Sequence, residues 1–465
     1  MKQFKKSLFI FRRDLRFYDN TALYEALKQS QEVFLCFIYD PRQITRANKY
    51  RSQRAIQFMN ESLAELEHDA KKKKTRLNIC YGKATNVLAQ LITDNAIDAV
   101  FVNRDYTPFA KKRDQELQNI CTKKQIAFNS YDDILLHTPE TYLKDDGTPY
   151  HVFTPFFRKA IQKLAPNIKK YSFENLAQTS LVLAKKLYPK NSIILQKQKN
   201  TVPQGGRKQA LKIIQRLKDF RSYDKTRDIP SIPTTHLSAH IKFGTCSIRE
   251  VYWALYKTFG RAHPLIRQLY WHDFYVIIAK HYPHIFGAPF ALKYNTINWN
   301  KSTSWFDRWK KGKTGFPIVD AGMRQLNATG FMHNRVRMIT ASFLVKDLGI
   351  DWRWGEKYFA QHLTDYDPAI NNGNWQWIAS TGSAHQPYFR VFNPWQQQKR
   401  FDPQCVYIKK WVPELEPLTA KEIHKWTSTD KIKPVKYPKP LVDHRIQADL
   451  FIKILKKAKK RQSLL

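Results

Sequence analysis

A chain of 465 residues is long enough for two domains with sizeable cores, and its 43% hydrophobic content is normal for a globular protein. No apolar stretch reaches the length of a membrane span, and MKQFKKSLFIFRRDLRF lacks the apolar run of a cleavable signal, so a cytoplasmic protein with no membrane partner is expected. The formal net charge of +40 suits a polyanionic partner such as nucleic acid, although lysines such as Lys71 to Lys74 and the KKAKKR tail serve equally to solvate a surface.

Short apolar runs rich in β formers at 7–11, 33–39, 77–81, 99–103 and 126–130 predict five strands. Between them TALYEALKQS, AIQFMNESLAELEHDA, TNVLAQLITDN and KKRDQELQNICTKKQ carry helical patterns. This alternation predicts βαβ units, hence an α/β domain with a doubly wound parallel sheet over 1–132. No GxGxxG follows the first strand, so there is no dinucleotide fingerprint. From 133 to 204 the pattern dissolves into turn-rich and polar segments, read as a long connector wrapping the second domain. Residues 205–465 are helical in pattern throughout, through RKQALKIIQRLKDF, SIREVYWALYKTF, LIRQLYWHDFYVIIAKHY and AGMRQLNATG. They predict an all-helical domain. Cys36, Cys80, Cys121, Cys246 and Cys405 form no CxxC pair and read as buried reduced thiols. His281 with His284, and His236 with His240, lack further ligands at metal-site spacing, so no metal is expected.

The stretch 330–377 organises the helical domain. From Asn334 to Leu348 a helix is predicted, with Val336, Ile339 and Phe343 on one face and Met338, Val345 and Leu348 on the other. Such a helix belongs inside a large protein. Its first turns nevertheless carry Asn334, Arg335 and Arg337, and burying guanidinium groups is costly unless anions receive them. Asp365 and Asp367 follow, and Asp367-Pro368 reads as an N-cap with proline at the first helical position. Trp352, Trp354, Trp375 and Trp377 crowd the same stretch. A core helix with a salt-bridged polar seam would account for the charges alone.

MHNRVRMITASFLVKDL, DYDPAINNGNWQW, STG and PYFRVFNP closely resemble the flavin-binding core of the DNA photolyase and cryptochrome family, and most of all its microbial cyclobutane-pyrimidine-dimer photolyases of class I. The likeness runs from FRRDLRFYDN to YPKPLVDHR. It implies non-covalent FAD in the helical domain, reduced in the working state, and an antenna domain that can hold a second pigment, methenyltetrahydrofolate or a deazaflavin. DPRQITRANKY lacks the histidine, and NRDYTPFAKKRD the acid, expected of a folate site. By resemblance the flavin contacts are Tyr223, the loop Thr234, Thr235, His236, Leu237 and Ser238, then His272, Arg337, Asp365, Tyr366, Asp367 and Asn371. Arg337 would pair with the DxD acids, and Asn371 would face the flavin N5. His272 stands where the family has arginine. Trp375, Trp352 and Trp299 match the chain that carries electrons from the surface. Indoles suit this task because they oxidise readily and pack without charge.

The implied partner is damaged DNA, met by a monomer through Arg227, Gln268, Trp271, Asn334, Arg335, Met338 and Trp377. Trp271 and Trp377 would wall a flipped lesion, while arginines meet phosphates. Gln268 replaces the glutamate usual among dimer-splitting members and matches the (6-4) photolyases and animal cryptochromes. Asn334 and Met338 point the other way, since they stand where (6-4) enzymes carry histidines and neither titrates. The expected activity is therefore light-driven splitting of cyclobutane dimers, with a (6-4) photolyase and a signalling cryptochrome as the alternatives.

Overall fold

The computed structural model describes residues 2–183, 198–383, 390–426 and 435–460. The segment NSIILQK and the first three residues of PYFRVFNP lie outside them. Five parallel strands, β1 (Phe4–Phe11), β2 (Ser30–Tyr39), β3 (Leu77–Tyr81), β4 (Ala99–Asn103) and β5 (Ala127–Tyr131), form one sheet in the order β3-β2-β1-β4-β5. Four helices cover it: α1 (Thr21–Gln29), α2 (Gln53–Lys72), α3 (Ala84–Asn95) and α4 (Pro108–Lys123). Asn20, Ser52 and Thr107 cap α1, α2 and α4 by accepting from backbone N–H groups of the first turn. The pleat of β1 sends Leu8 and Ile10 into one core and Phe9 and Phe11 into another on the opposite face. Both faces are covered, which is why the strands read as unbroken apolar runs. The strand order reverses between β1 and β4, so a crevice opens beyond their carboxyl ends.

The connector differs from expectation. Its first half does lie on the helical domain, where α5 (Phe153–Ala160) packs Phe156 against Phe274 with ring centroids 5.3 Å apart. The second half returns to the sheet: Val33 N–H donates to the Asn175 carbonyl and Ala177 N–H to the Val33 carbonyl, both at 2.9 Å. The start of β2 extends beyond its pairing with β3, and its open backbone groups take up that segment.

The helical domain is used below through α6 (Leu237–Phe243), α7 (Pro264–His281), α8 (Thr303–Lys310), α9 (Pro317–Thr329), α10 (Asn334–Ser342), α11 (Trp352–His362), α12 (Pro368–Ala379) and α13 (His444–Lys460). The expected helix from Asn334 to Leu348 stops being an α-helix at Ser342 and continues as a π turn over Phe343–Asp347. Phe343 to Asp347 are all buried, so no solvent-facing side marks the phase in the sequence. The two domains are clamped by buried charge from FRRDLRFYDN. Arg16 pairs with Asp133 at 2.6 Å, and Arg249 of the helical domain reaches Asp19 and Asp133 at 2.9 and 2.8 Å. Gly244, at φ +64°, ends α6 against this loop, where an added Cβ would lie 2.2 Å from the Arg13 carbonyl oxygen.

Candidate active site

The loop Thr234 to Ser238 turns into α6 through His236, held in the left-handed region at φ 56° and stacked on Phe331 with centroids 4.2 Å apart. Ser238 Oγ donates to Asp365 Oδ2 at 2.7 Å, and Arg337 Nη2 donates to the same oxygen at 3.0 Å. One bond therefore joins the loop to the DxD segment, and the Arg337–Asp365 pair is present. The other oxygen, Asp365 Oδ1, is buried with no protein partner, as are His333 Nε2 and Thr364 Oγ1. An orphaned acceptor at Asp365, a donor at His333 and a hydroxyl at Thr364 suit a hydroxyl-bearing ligand, and a flavin's ribityl chain meets that requirement. Asn371 on α12 is buried and donates to the Glu356 carbonyl at 3.1 Å, which fixes the plane of its amide. Tyr223 lies half-buried beside α7. His272 Nδ1–H donates to Asp273 Oδ1 at 2.9 Å, and Asp273 also accepts from Leu136 N–H and the Tyr142 hydroxyl.

Asp367 and Tyr366 turn toward the other domain. Asp367 Oδ1 caps α12 by accepting from Ala369 and Ile370 N–H at 2.9 and 3.2 Å, while Oδ2 pairs with Arg13. Arg13 also reaches Asp105 at 3.1 Å, and its charge holds both carboxyls below the usual range against the pull of burial. Lys242 stands beside them, its ammonium lowered to about 8 by burial and then by the Arg13 charge. Tyr366 stacks near Tyr50, centroids 6.5 Å apart. Both rings line a cavity of about 500 Å³ at the reversal point of the sheet, together with Arg12, Arg113, Arg51 and Glu356. The buried Arg12 Nη2, Arg113 Nη2 and Arg51 Nε have no partner, and burial with the Arg113 charge lowers Arg12 to about 10. Glu356 is pushed up to about 7 by burial.

Trp375 is buried on α12 and lies over α11 at Gly355, where an added Cβ would stand 2.1 Å from its ring. Trp352, also buried, is one turn earlier on α11. Trp299 adjoins Asn300, which pairs with Ile350 just before Trp352, and its ring lies 6.4 Å from Phe451 of α13. The three indoles thus follow one another through adjoining backbone.

Of the residues expected to face DNA, Arg227 and Asn334 are exposed and Gln268, Arg335, Met338 and Trp377 half-buried. Asn334 Nδ2 lies 3.9 Å from Met338 Sδ. Arg335 pairs with Asp228 at 2.8 Å and sits over the Phe401 ring. Trp271 is stacked face to face on Phe153, centroids 3.5 Å apart, so one face is already covered. Among the described residues no group of three His, Cys, Asp or Glu gathers at metal-binding distance.

Sequence reasoning missed Arg13, Lys242, Glu356 and the cavity they border. A pair of arginines directly after an apolar strand was the available signal, since strand ends at a sheet's reversal point line the ligand crevice.

Together these features define a two-domain flavoprotein whose DxD segment joins a helical cofactor site to a cationic interdomain cavity. Residues 7–173 match the family described as DNA photolyase, and 265–457 match the FAD binding domain of DNA photolyase. The deoxyribodipyrimidine photo-lyase of Alkalihalophilus pseudofirmus is 35% identical over 459 residues, covering 94% of this chain and 95% of that protein. Its Escherichia coli counterpart is 33% identical over 457 residues, again covering 94% and 95%. Among solved structures, the archaeal photolyase of Sulfolobus tokodaii with two FAD molecules has a TM-score of 0.86 and 40% identity, covering 97% of this chain and 100% of that one. The class III photolyase of Agrobacterium tumefaciens has the same TM-score at 32% identity, covering 99% of each. The chain belongs to the DNA photolyase family.

Proposed function

We propose that this protein splits cyclobutane pyrimidine dimers in DNA under light. The observation that carries the choice of lesion is the first turn of α10. Asn334 and Met338 cannot titrate, and His333 is turned inward: it is 2% exposed, its Nδ1 accepts the Arg335 N–H at 3.2 Å, and burial lowers it to about 4. Reversing a (6-4) lesion moves a hydroxyl group and calls for a proton donor near neutral pKa, whereas opening a cyclobutane ring needs only an electron out and back. FAD, when bound, reduced and lit, supplies that electron. The protein's part is to hold the cofactor through Asp365, Arg337, Ser238 and Asn371, and to seat the lesion beside Trp271, Gln268 and Trp377. Oligonucleotides carrying one lesion each, illuminated with purified protein, test the reading. Restored thymines from the cyclobutane dimer are expected, and Gln268→Glu should raise the yield per photon. Restored (6-4) product with an untouched dimer would overturn it.

A second pigment fits the interdomain cavity. The unpartnered guanidinium N–H groups of Arg12, Arg51 and Arg113 favour an anionic occupant, and a phosphate-bearing flavin meets that better than a neutral ring.

A further inference from the structure

The aromatic neighbours of Trp375 do not end with the Trp352–Trp299 chain. Its ring lies 6.3 Å from that of Trp309 on α8, at 71°. Trp309 lies 5.7 Å from Phe306, and Phe306 5.2 Å from Trp354, which is half-buried on α11. We propose, on the reading that Trp375 is oxidised by light through a bound flavin, that Trp309 is a second electron donor to Trp375 and Trp354 the solvent end of this branch.

Trp309 has the properties of a relay. It is fully buried, and its Nε1–H donates to the Thr340 carbonyl at 3.0 Å, an acceptor that favours a positive charge on the indole. Phe306 is harder to oxidise than an indole and carries the Lys310 ammonium 4.9 Å over its ring, so it bridges without holding the charge. Tyr358 touches Trp309 at 5.7 Å, but its hydroxyl donates to Asn327 Oδ1 at 2.8 Å. An amide oxygen is no base, so oxidising Tyr358 would strand its proton, and the charge passes it by. Oxidising Trp354 needs no proton movement. One electron moves from Trp309 to the Trp375 radical cation, a second from Trp354 restores Trp309, and a thiol in solution re-reduces Trp354. No bond is made or broken among the indoles. The two ends open at different places: Trp299 lies beside α13, Trp354 beside α8.

The test uses the full-length, flavin-loaded protein with Trp352→Phe to cut the first chain, read by flash photolysis and electron paramagnetic resonance. A long-lived tryptophanyl radical and slowed photoreduction are expected. Adding Trp309→Phe should remove that radical. Adding Trp354→Phe instead should shorten its life several-fold by leaving the charge buried. Flavin content and denaturation midpoint control for folding. If Trp309→Phe fails to hold flavin, the Trp354→Phe arm alone decides. A long-lived radical unchanged by both substitutions, or a tyrosyl signal lost in Tyr358→Phe, would overturn the proposal.

Discussion

Arg13 is one of the buried charges that dock the two domains, and Arg13→Met isolates it while keeping most of the apolar stem. The substitution leaves Asp367 and Asp105 facing each other, with Lys242 near both, Arg113 near Asp105 and His272 near Asp367. Their side chains are 3% and 16% exposed, and that of Arg13 is 14%. Removing one member of a buried ion pair costs roughly 3–5 kcal/mol, because the partner charge stays desolvated; the partial exposure of Asp105 puts this case near the lower end, at about 3 kcal/mol. The pH dependence fixes the cause. In the native protein both carboxyls are held low, so their contribution is complete above the unfolded carboxylate range and is lost as pH falls through the folded values. In Arg13→Met the same groups are unpaired and raised, so they are neutral in mild acid and cost most when ionised. Denaturant titrations of both proteins at pH 5 and pH 8 should therefore show the larger gap at pH 8. A loss below about 1 kcal/mol, equal at both pH values, would mean that solvent screens the bridge as at any surface pair, and the reasoning would fail.

Trp375→Phe should slow photoreduction of oxidised flavin sharply under blue light with a thiol; photoreduction at the native rate would mean that the charge enters elsewhere. Glu356→Gln should stabilise the protein at pH 8 but not at pH 4. The Glu356 carboxyl rises from its ordinary 4.5 to about 7, so its contribution is present below the first value and lost through the second. The gain, by denaturant titration, is roughly 3 kcal/mol at most. Binding of dimer-containing DNA should weaken linearly on a log–log plot against salt, and Arg335→Ala should reduce the slope by about 1, as for one phosphate contact. Trp271→Ala should cost preference for the lesion more than general affinity; equal loss on undamaged DNA would make the indole a packing residue of Phe153 alone.

β3, β4 and β5 were legible to within a residue, and β1 and β2 except for three residues at their starts, because a sheet buried on both faces must be written as apolar runs. The Arg337–Asp365 pair was legible for a related reason, since a charge on an all-apolar helix needs a receiver and acids follow within the same stretch. Apart from the arginine pair after the first strand, what escaped has no local signature. The π turn at Phe343–Asp347 sits where every position is buried, so periodicity carries no phase. Arg13 meets Asp367 across 354 residues of chain, and Trp309 meets Trp375 between helices. Only the packing of the domains and helices brings such groups together. That Arg12, Arg51 and Arg113 keep unpartnered N–H groups is likewise invisible in a sequence, which does not show what a side chain meets.

The cavity at the reversal point of the sheet is walled by both domains, from Arg12 and Tyr39 on one side to Lys242, Glu356 and Tyr366 on the other. An occupant that touches both walls binds only the docked pair, so filling the cavity and holding the domains together become linked equilibria. At a hundredfold excess over its Kd, such a ligand adds about 2.7 kcal/mol to the folded, docked state. With the proposed second pigment as that ligand, stripping it would cost heat resistance, and refilling the cavity in the dark would restore that resistance without any photon being absorbed.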